Sequence, residues 1–142
     1  MSFMTEVLID SNILIYAYDN SDPKKHAIAK DTITKVLLSG DGVVSIQNLS
    51  EFSRAITEKS KKHLSHSEAR GIVLEFVDAL RVVAYNGHTI AEALLFTSKY
   101  ELHFYDSLLV ATMELHHINE IITEDEGFSK IPWIIVRNPF KI

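Results

Sequence analysis

Residues 7–17 read VLIDSNILIYA, and the reading of this stretch decides the fold. Val7, Leu8 and Ile9 are apolar without interruption, where a sheet with one wet face would alternate. That pattern suits a short strand covered on both sides, as in a parallel sheet. Asp10 ends the run, and a helix carrying Tyr16 and Tyr18 follows. Four more runs share the character: VVSI (Val43 to Ile46), RVVAY (Arg81 to Tyr85), EIIT (Glu120 to Thr123) and WIIV (Trp133 to Val136).

Helical signals lie between them. Asp22-Pro23 reads as an N-cap with proline at the first helical position. Ala29, Ile33, Val36 and Leu37 then recur at helical spacing until Gly40-Asp41-Gly42. Ser65 with Glu68 forms a capping box ahead of Ala69, Ile72, Val73, Phe76 and Leu80, and Thr89 with Glu92 repeats it ahead of Ala93, Leu94 and Phe96. Two further helices are expected over 47–59 and 105–116. Strands separated by helices predict a three-layer α/β/α sandwich around a mostly parallel sheet of four to five strands. The link EDEGFSKIP is short for a crossover helix, so the last strand is the least determined element.

The 142 residues, 46% hydrophobic and 23% charged, suit one domain spanning 1–142. No apolar run is long enough to span a membrane, and MSFMTEV is no secretion signal. The absence of cysteine excludes disulfides and thiolate metal sites and fits a cytoplasmic protein.

In an open parallel sheet, ligands collect beyond the carboxyl ends of the strands. Asp10 directly follows VLI, Glu51 comes five residues after VVSI, and Asp125 lies two residues past EIIT. These three fall on one rim, and Asp106 joins them if its helix starts there. Taken singly, each acid has a structural explanation. Asp10 can cap the helix it precedes, Glu51 stands three residues after Asn48 in a capping relation, and Asp106 can be an N-cap. Asp125 sits in the acidic turn TEDEG. Taken together, four carboxylates in one cleft repel one another and call for a cation. A hard divalent ion, Mg²⁺ or Mn²⁺, is the natural one. The expected chemistry is metal-assisted hydrolysis of a phosphodiester by one or two ions.

At this point the motifs match a family. VLIDSNILIYA resembles the opening motif of the PIN-domain nucleases, SIQNLSEF the second, YDSLLVATM the third and TEDEGF the fourth; the closing RNPF is also similar. The resemblance runs from Val7 to Phe140. It implies that Asp10, Glu51, Asp106 and Asp125 form a catalytic, metal-binding quartet, and that Asn12, Thr123 and Ser11 support it. Gly127 stands where many members carry another acid, and neighbouring Glu124 is a poor substitute. The resemblance further implies a VapC-like toxin ribonuclease acting on RNA, a small antitoxin as partner, and a homodimer.

The net charge of −5 argues against a nucleic-acid substrate only until the quartet is set aside, which leaves 15 acidic against 14 basic residues. Bound cations then invert the local potential. Lys59, Lys61 and Lys62, with His63 and His66, form the densest basic stretch: an RNA-backbone contact or a solvated helix end. Arg54, one turn after Glu51, is the better substrate-contact candidate, or else an ion-pair partner. His116-His117 reads as a helix terminus, since adjacent helical positions diverge. Trp133 reads as packing, as do Tyr16 and Tyr18. Two other readings compete with the nuclease: a non-catalytic PIN-fold module that binds RNA or protein, and a phosphatase or receiver-like protein with Asp10 as nucleophile. The latter is disfavoured by Asn12, where a second acid is required.

Overall fold

The computed structural model describes residues 5–141. Five strands, β1 (Val7–Ile9), β2 (Gly42–Ser45), β3 (Arg81–Val83), β4 (Glu120–Ile122) and β5 (Ile135–Arg137), form one sheet in the order β3-β2-β1-β4-β5. Every pairing is parallel, with Leu8 opposite both Val43 and Ile121. Six helices join them: α1 (Ser11–Tyr18), α2 (Pro23–Ser39), α3 (Ile46–Arg54), α4 (His66–Ala79), α5 (Gly87–Tyr100) and α6 (Phe104–Leu115).

Alternation along each strand divides the core into two layers. Val7, Ile9, Val44 and Ile122 point to one face and pack with Leu14, Phe52 and Phe76 of α1, α3 and α4. Leu8, Val43 and Ile121 point to the other and pack with Phe96, Leu109 and Met113 of α5 and α6. The runs are unbroken in the sequence because both faces are covered. Gly42 lets α2 and α4 close on the sheet, since a Cβ there would stand 2.5 Å from Leu80 and 2.7 Å from Val36.

Several expectations shift. β2 ends at Ser45 because its side chain caps α3 reciprocally with Asn48, so Ile46 opens the helix. The expected helix over 47–59 is α-helical only to Arg54 and finishes as a π-helical turn, Ala55–Lys59. Thr89 does not cap α5. Asn86 does, with Thr89 at the third position completing the box, one turn before the expected one. The Ser65–Glu68 box and the Asp22 cap stand where expected. The last crossover is a 3₁₀ turn, Glu126–Lys130, and β5 begins two residues later than predicted.

This order reverses direction at the centre. From β1 the chain first builds outward through β2 and β3, then returns to add β4 and β5 on the other side. The carboxyl ends of β1 and β4 therefore flank the switch point, where such sheets open a crevice.

Candidate functional site

Asp10 leaves β1 at that crevice and caps α1, so the structural and the functional reading of this residue hold together. Its Oδ1 accepts from the Ser11 amide at 2.7 Å and from Asn48 Nδ2 at 3.3 Å. Its Oδ2 accepts from the Thr123 hydroxyl at 2.7 Å and faces Asn12 Nδ2 at 3.5 Å. Thr123 follows β4, and its oxygen also accepts from Asn12 Nδ2 at 3.2 Å and from the Asp125 amide at 3.0 Å. One hydroxyl thus joins the ends of β1 and β4 across the switch point. Asp10 is 8% exposed. Burial pushes its carboxyl up to about 6 from an ordinary 3.8, against the pull of Thr123 and Ser11, and the charges of Glu51 and Asp106 add to the rise.

Glu51 does not cap α3, because Ser45 and Asn48 hold that role. Its side chain is exposed and accepts from the Ser11 hydroxyl at 3.3 Å, while the same hydroxyl lies 3.4 Å from Asp10 Oδ1. A hydroxyl has one proton, so Ser11 serves one carboxylate at a time. Partial desolvation raises the Glu51 carboxyl and the neighbouring Asp106 raises it further, partly offset by hydrogen bonds from Ser11 and Gln47. Asp106 stands in the first turn of α6, whose cap position, His103, offers no side-chain bond. Asp106 is raised by desolvation and by the charge of Asp125, with His103 opposing. Asp125 caps the 3₁₀ turn by accepting from the Gly127 amide at 2.8 Å.

The four acids therefore form an electrostatic chain at one rim, in which Glu51 and Asp106 raise Asp10, Asp106 raises Glu51 and Asp125 raises Asp106. Among the described residues, none of the four is in an ion pair with lysine or arginine. Nor do three acidic or histidine groups among those residues converge tightly enough to hold an ion as the side chains stand. Their chemistry nevertheless fits a hard divalent cation: oxygen donors only, mutually repelling and gathered at one rim.

Other expected residues lie apart. Arg54 pairs with Glu58 one turn on, although it also borders a groove with Glu51. Lys61 and Lys62 line a separate hollow beside Tyr18, Asp19 and Ser21, and Lys59 ends the π-helical turn. Glu124 is taken up by Lys25 and by the Tyr16 hydroxyl, so it faces away from the quartet's role. His116 closes α6 and contacts the Ala84 carbonyl at 2.7 Å, while His117 adopts φ 58° in the turn. Trp133 packs partly buried against the second core layer. Asn48 is the residue that the sequence reading undervalued: the Ser45-x-x-Asn48 spacing signals its cap but not its bond to Asp10.

A family model described as the PIN domain matches residues 7–134. Among solved structures, a toxin–antitoxin complex from Klebsiella pneumoniae is similar, with a TM-score of 0.70 at 18% identity over 96% of this chain and 100% of that one. VapC20 from Mycobacterium tuberculosis, a sarcin–ricin loop cleaving toxin, gives 0.69 at 15% identity over 91% and 97%. VapBC2 from Rickettsia felis, bound to promoter DNA, gives 0.68 at 16% over 94% and 98%. No curated protein matches the sequence.

Proposed function

The chain belongs to the PIN domain family, and from that membership we propose that it is a divalent-metal-dependent ribonuclease, the toxin of a VapBC-like pair, built as one PIN-like domain over 1–142. The observation that carries the reading is the buried Asp10 at the switch point, its carboxyl pushed up to about 6 with other acids contributing and, among the described residues, no lysine or arginine paired with it. A protein gains nothing in stability from such a charge, so its use lies in binding.

In this reading Asp10, Glu51, Asp106 and Asp125 hold Mg²⁺ or Mn²⁺. When bound, the metal polarises the scissile phosphate and lowers the pKa of the attacking water. The chain's own residues prepare for this. Thr123 and the Ser11 amide fix both oxygens of Asp10. Asn48 and Asn12 hold the flanking elements in register with it. Ser11 is free to exchange between Asp10 and Glu51, which keeps the two carboxylates together while they repel. Arg54 is placed to meet the RNA backbone beside Glu51, and Lys59, Lys61 and Lys62 supply more distant, non-specific attraction.

The partner we propose is a small DNA-binding antitoxin, on the analogy of the VapBC2 complex. A homodimer is supported by α5, which leaves Leu94 and Leu95 59% and 58% exposed. No helix among the described residues is long and apolar enough to cross a membrane, and a cytoplasmic setting is part of the proposal.

One observation favours a second reading, a PIN-fold module that binds without cutting: the acids do not converge as they stand. The deciding experiment incubates purified protein with RNA and with DNA in Mg²⁺, Mn²⁺ or chelator, beside Asp10→Asn. Chelator-sensitive RNA cleavage that Asp10→Asn abolishes is expected. Tight RNA binding with no cleavage in either metal selects the second reading.

A further inference from the structure

Thr123, Glu124 and Asp125 are the whole link between β4 and the 3₁₀ turn. The outer two serve the acidic rim. Thr123 donates to Asp10 Oδ2 at 2.7 Å and accepts from the Asp125 amide at 3.0 Å. The Asp125 carboxylate accepts from the Gly127 amide of its own turn. That local bond orients the carboxylate but does not place it at the rim, which is left to the backbone and so to whatever holds Glu124. Glu124 is held on every side. Its amide donates to Asn12 Oδ1 at 3.4 Å, and its carbonyl accepts from Asn138 Nδ2 at 3.5 Å. One carboxylate oxygen accepts from the Tyr16 hydroxyl at 2.9 Å, and the other pairs with Lys25. Helices α1 and α2 and the segment after β5 therefore all meet at this one residue.

The lysine is itself confined. Lys25 Nζ lies 3.4 Å from the Tyr16 hydroxyl oxygen, 5.1 Å from the centre of the Tyr16 ring and 5.4 Å from that of Phe140. The two rings meet edge to face with centroids 5.3 Å apart, and the Phe140 amide donates to Asn138 Oδ1 at 3.0 Å. Asn138 thus ties down both the Glu124 carbonyl and the segment that brings Phe140 over the lysine. The Lys25 and Glu124 side chains are each 33% exposed, so the ion pair by itself adds little to global stability. Joined to a phenol hydroxyl and two aromatic rings, it fixes geometry instead. We propose that Lys25, Tyr16 and Glu124 form a positioning clamp for the metal centre. By gripping the middle residue of the link, they keep Thr123 against Asp10 and Asp125 at the rim. All three are positioning residues, since they act on the centre only through Thr123 and Asp125.

The inference rests on the metal-dependent reading above, and its test separates the two. Mn²⁺ alone is titrated by calorimetry into the wild type, Glu124→Gln, Lys25→Met and Lys25→Arg. Glu124→Gln removes a negative charge near the rim and Lys25→Met a positive one. Through-space electrostatics would therefore weaken Mn²⁺ binding in the first and tighten it in the second. A clamp weakens both: the Kd for Mn²⁺ is expected to rise about tenfold in each, the scale for groups that orient metal ligands. Lys25→Arg, which keeps the pair, is expected to stay within about twofold of the wild type. Melting temperatures in chelator are expected to move by no more than about 3 °C, as for a half-exposed ion pair. Opposite shifts in the two Kd values, or Kd values unchanged in both, overturn the proposal. A larger fall in melting temperature with Mn²⁺ affinity kept marks a structural ion pair and overturns it as well. If the wild type takes up no Mn²⁺, the metal reading fails by itself. Amide hydrogen exchange in chelator then decides the clamp. Exchange over residues 123–127 that quickens about tenfold in Lys25→Met, with α5 unchanged, sustains it, and equal exchange overturns it.

Discussion

The two halves of the acidic rim are built differently. On the β1–β4 side, Asp10 is buried and both its oxygens are fixed by donors from three elements. On the α3–α6 side, the exposed Glu51 holds one long bond to Ser11, and the half-buried Asp106 sits in a helix turn whose cap side chain makes no bond. The first half is preorganised before any ligand arrives; the second is free to move toward one. If the four acids bind one ligand, that division gives them a way to share a rim without converging: the fixed half would set the position, and the loose half would close on what binds there.

Exchanging Asp10 for asparagine breaks the fixed half and carries the largest expected effect. If the quartet holds the metal, Asp10→Asn lowers kcat in Mg²⁺ by about a thousandfold, the scale of losing one preorganised electrostatic group. Initial rates on a cleavable RNA check this. A loss below about tenfold would mean that the loose half alone positions the substrate.

The same exchange acts on stability in the opposite direction. Asp10 has its carboxyl raised from 3.8 to about 6, so the folded state prefers the proton. Without metal, stability is full below about pH 4, falls as pH rises through about 6, and stays lower above it. The loss is about 3 kcal/mol at most, and less once the asparagine's own imperfect bonds are counted. Thermal melts of wild type and Asp10→Asn in chelator should diverge near pH 8, with the variant the more stable, and converge near pH 4. A variant that is less stable at both pH values would reduce Asp10 to a helix cap.

How far the sequence announced this rim follows the same division. Asp10, Glu51 and Asp125 each lie within a few residues of a strand's end, so their place on the rim was legible from strand position alone. Asp106 was not, because nothing in YDSLLVATM says where α6 begins relative to the sheet. The bonds of the fixed half were legible only by resemblance: Asn12 and Thr123 are 111 positions apart when their side chains meet. The Asn48 bond to Asp10 was missed because Ser45-x-x-Asn48 is complete as a local cap and gives no sign of a long-range partner. Element boundaries moved for local reasons, as when Asn86 took the cap expected of Thr89. β5 was the least determined strand because its crossover is a five-residue 3₁₀ turn with too few positions to show a period.

Thr123→Val sharpens the comparison at intermediate size. It removes the one donor that reaches Asp10 from β4 and the acceptor for the Asp125 amide. Leaving a buried carboxylate short of a partner costs about 1–3 kcal/mol at neutral pH. Because Thr123 pulls the Asp10 carboxyl down, losing it raises that carboxyl further. The cost should therefore fade in acid, where the folded Asp10 carboxyl is protonated in wild type and variant alike. Urea denaturation near pH 7.5 and near pH 4 separates this from simple loss of packing, which would not depend on pH.

Glu51→Gln carries the smallest expected effect on stability. Its side chain is exposed and bonded to Ser11, with Gln47 also stabilising its charge, and solvent screens its repulsion with Asp106. The change in unfolding free energy without metal should stay within about 0.5 kcal/mol, with a slight gain. Its effect on Mn²⁺ affinity, followed by thermal shift against metal concentration, should be far larger than its effect on the apoprotein. If Glu51→Gln destabilises the apoprotein as strongly as Thr123→Val does, then the α3–α6 half is as rigidly built as the β1–β4 half. Closure of the acids on a ligand would then have to come from the 3₁₀ turn that carries Asp125, since that is the remaining acid held only by its own local turn.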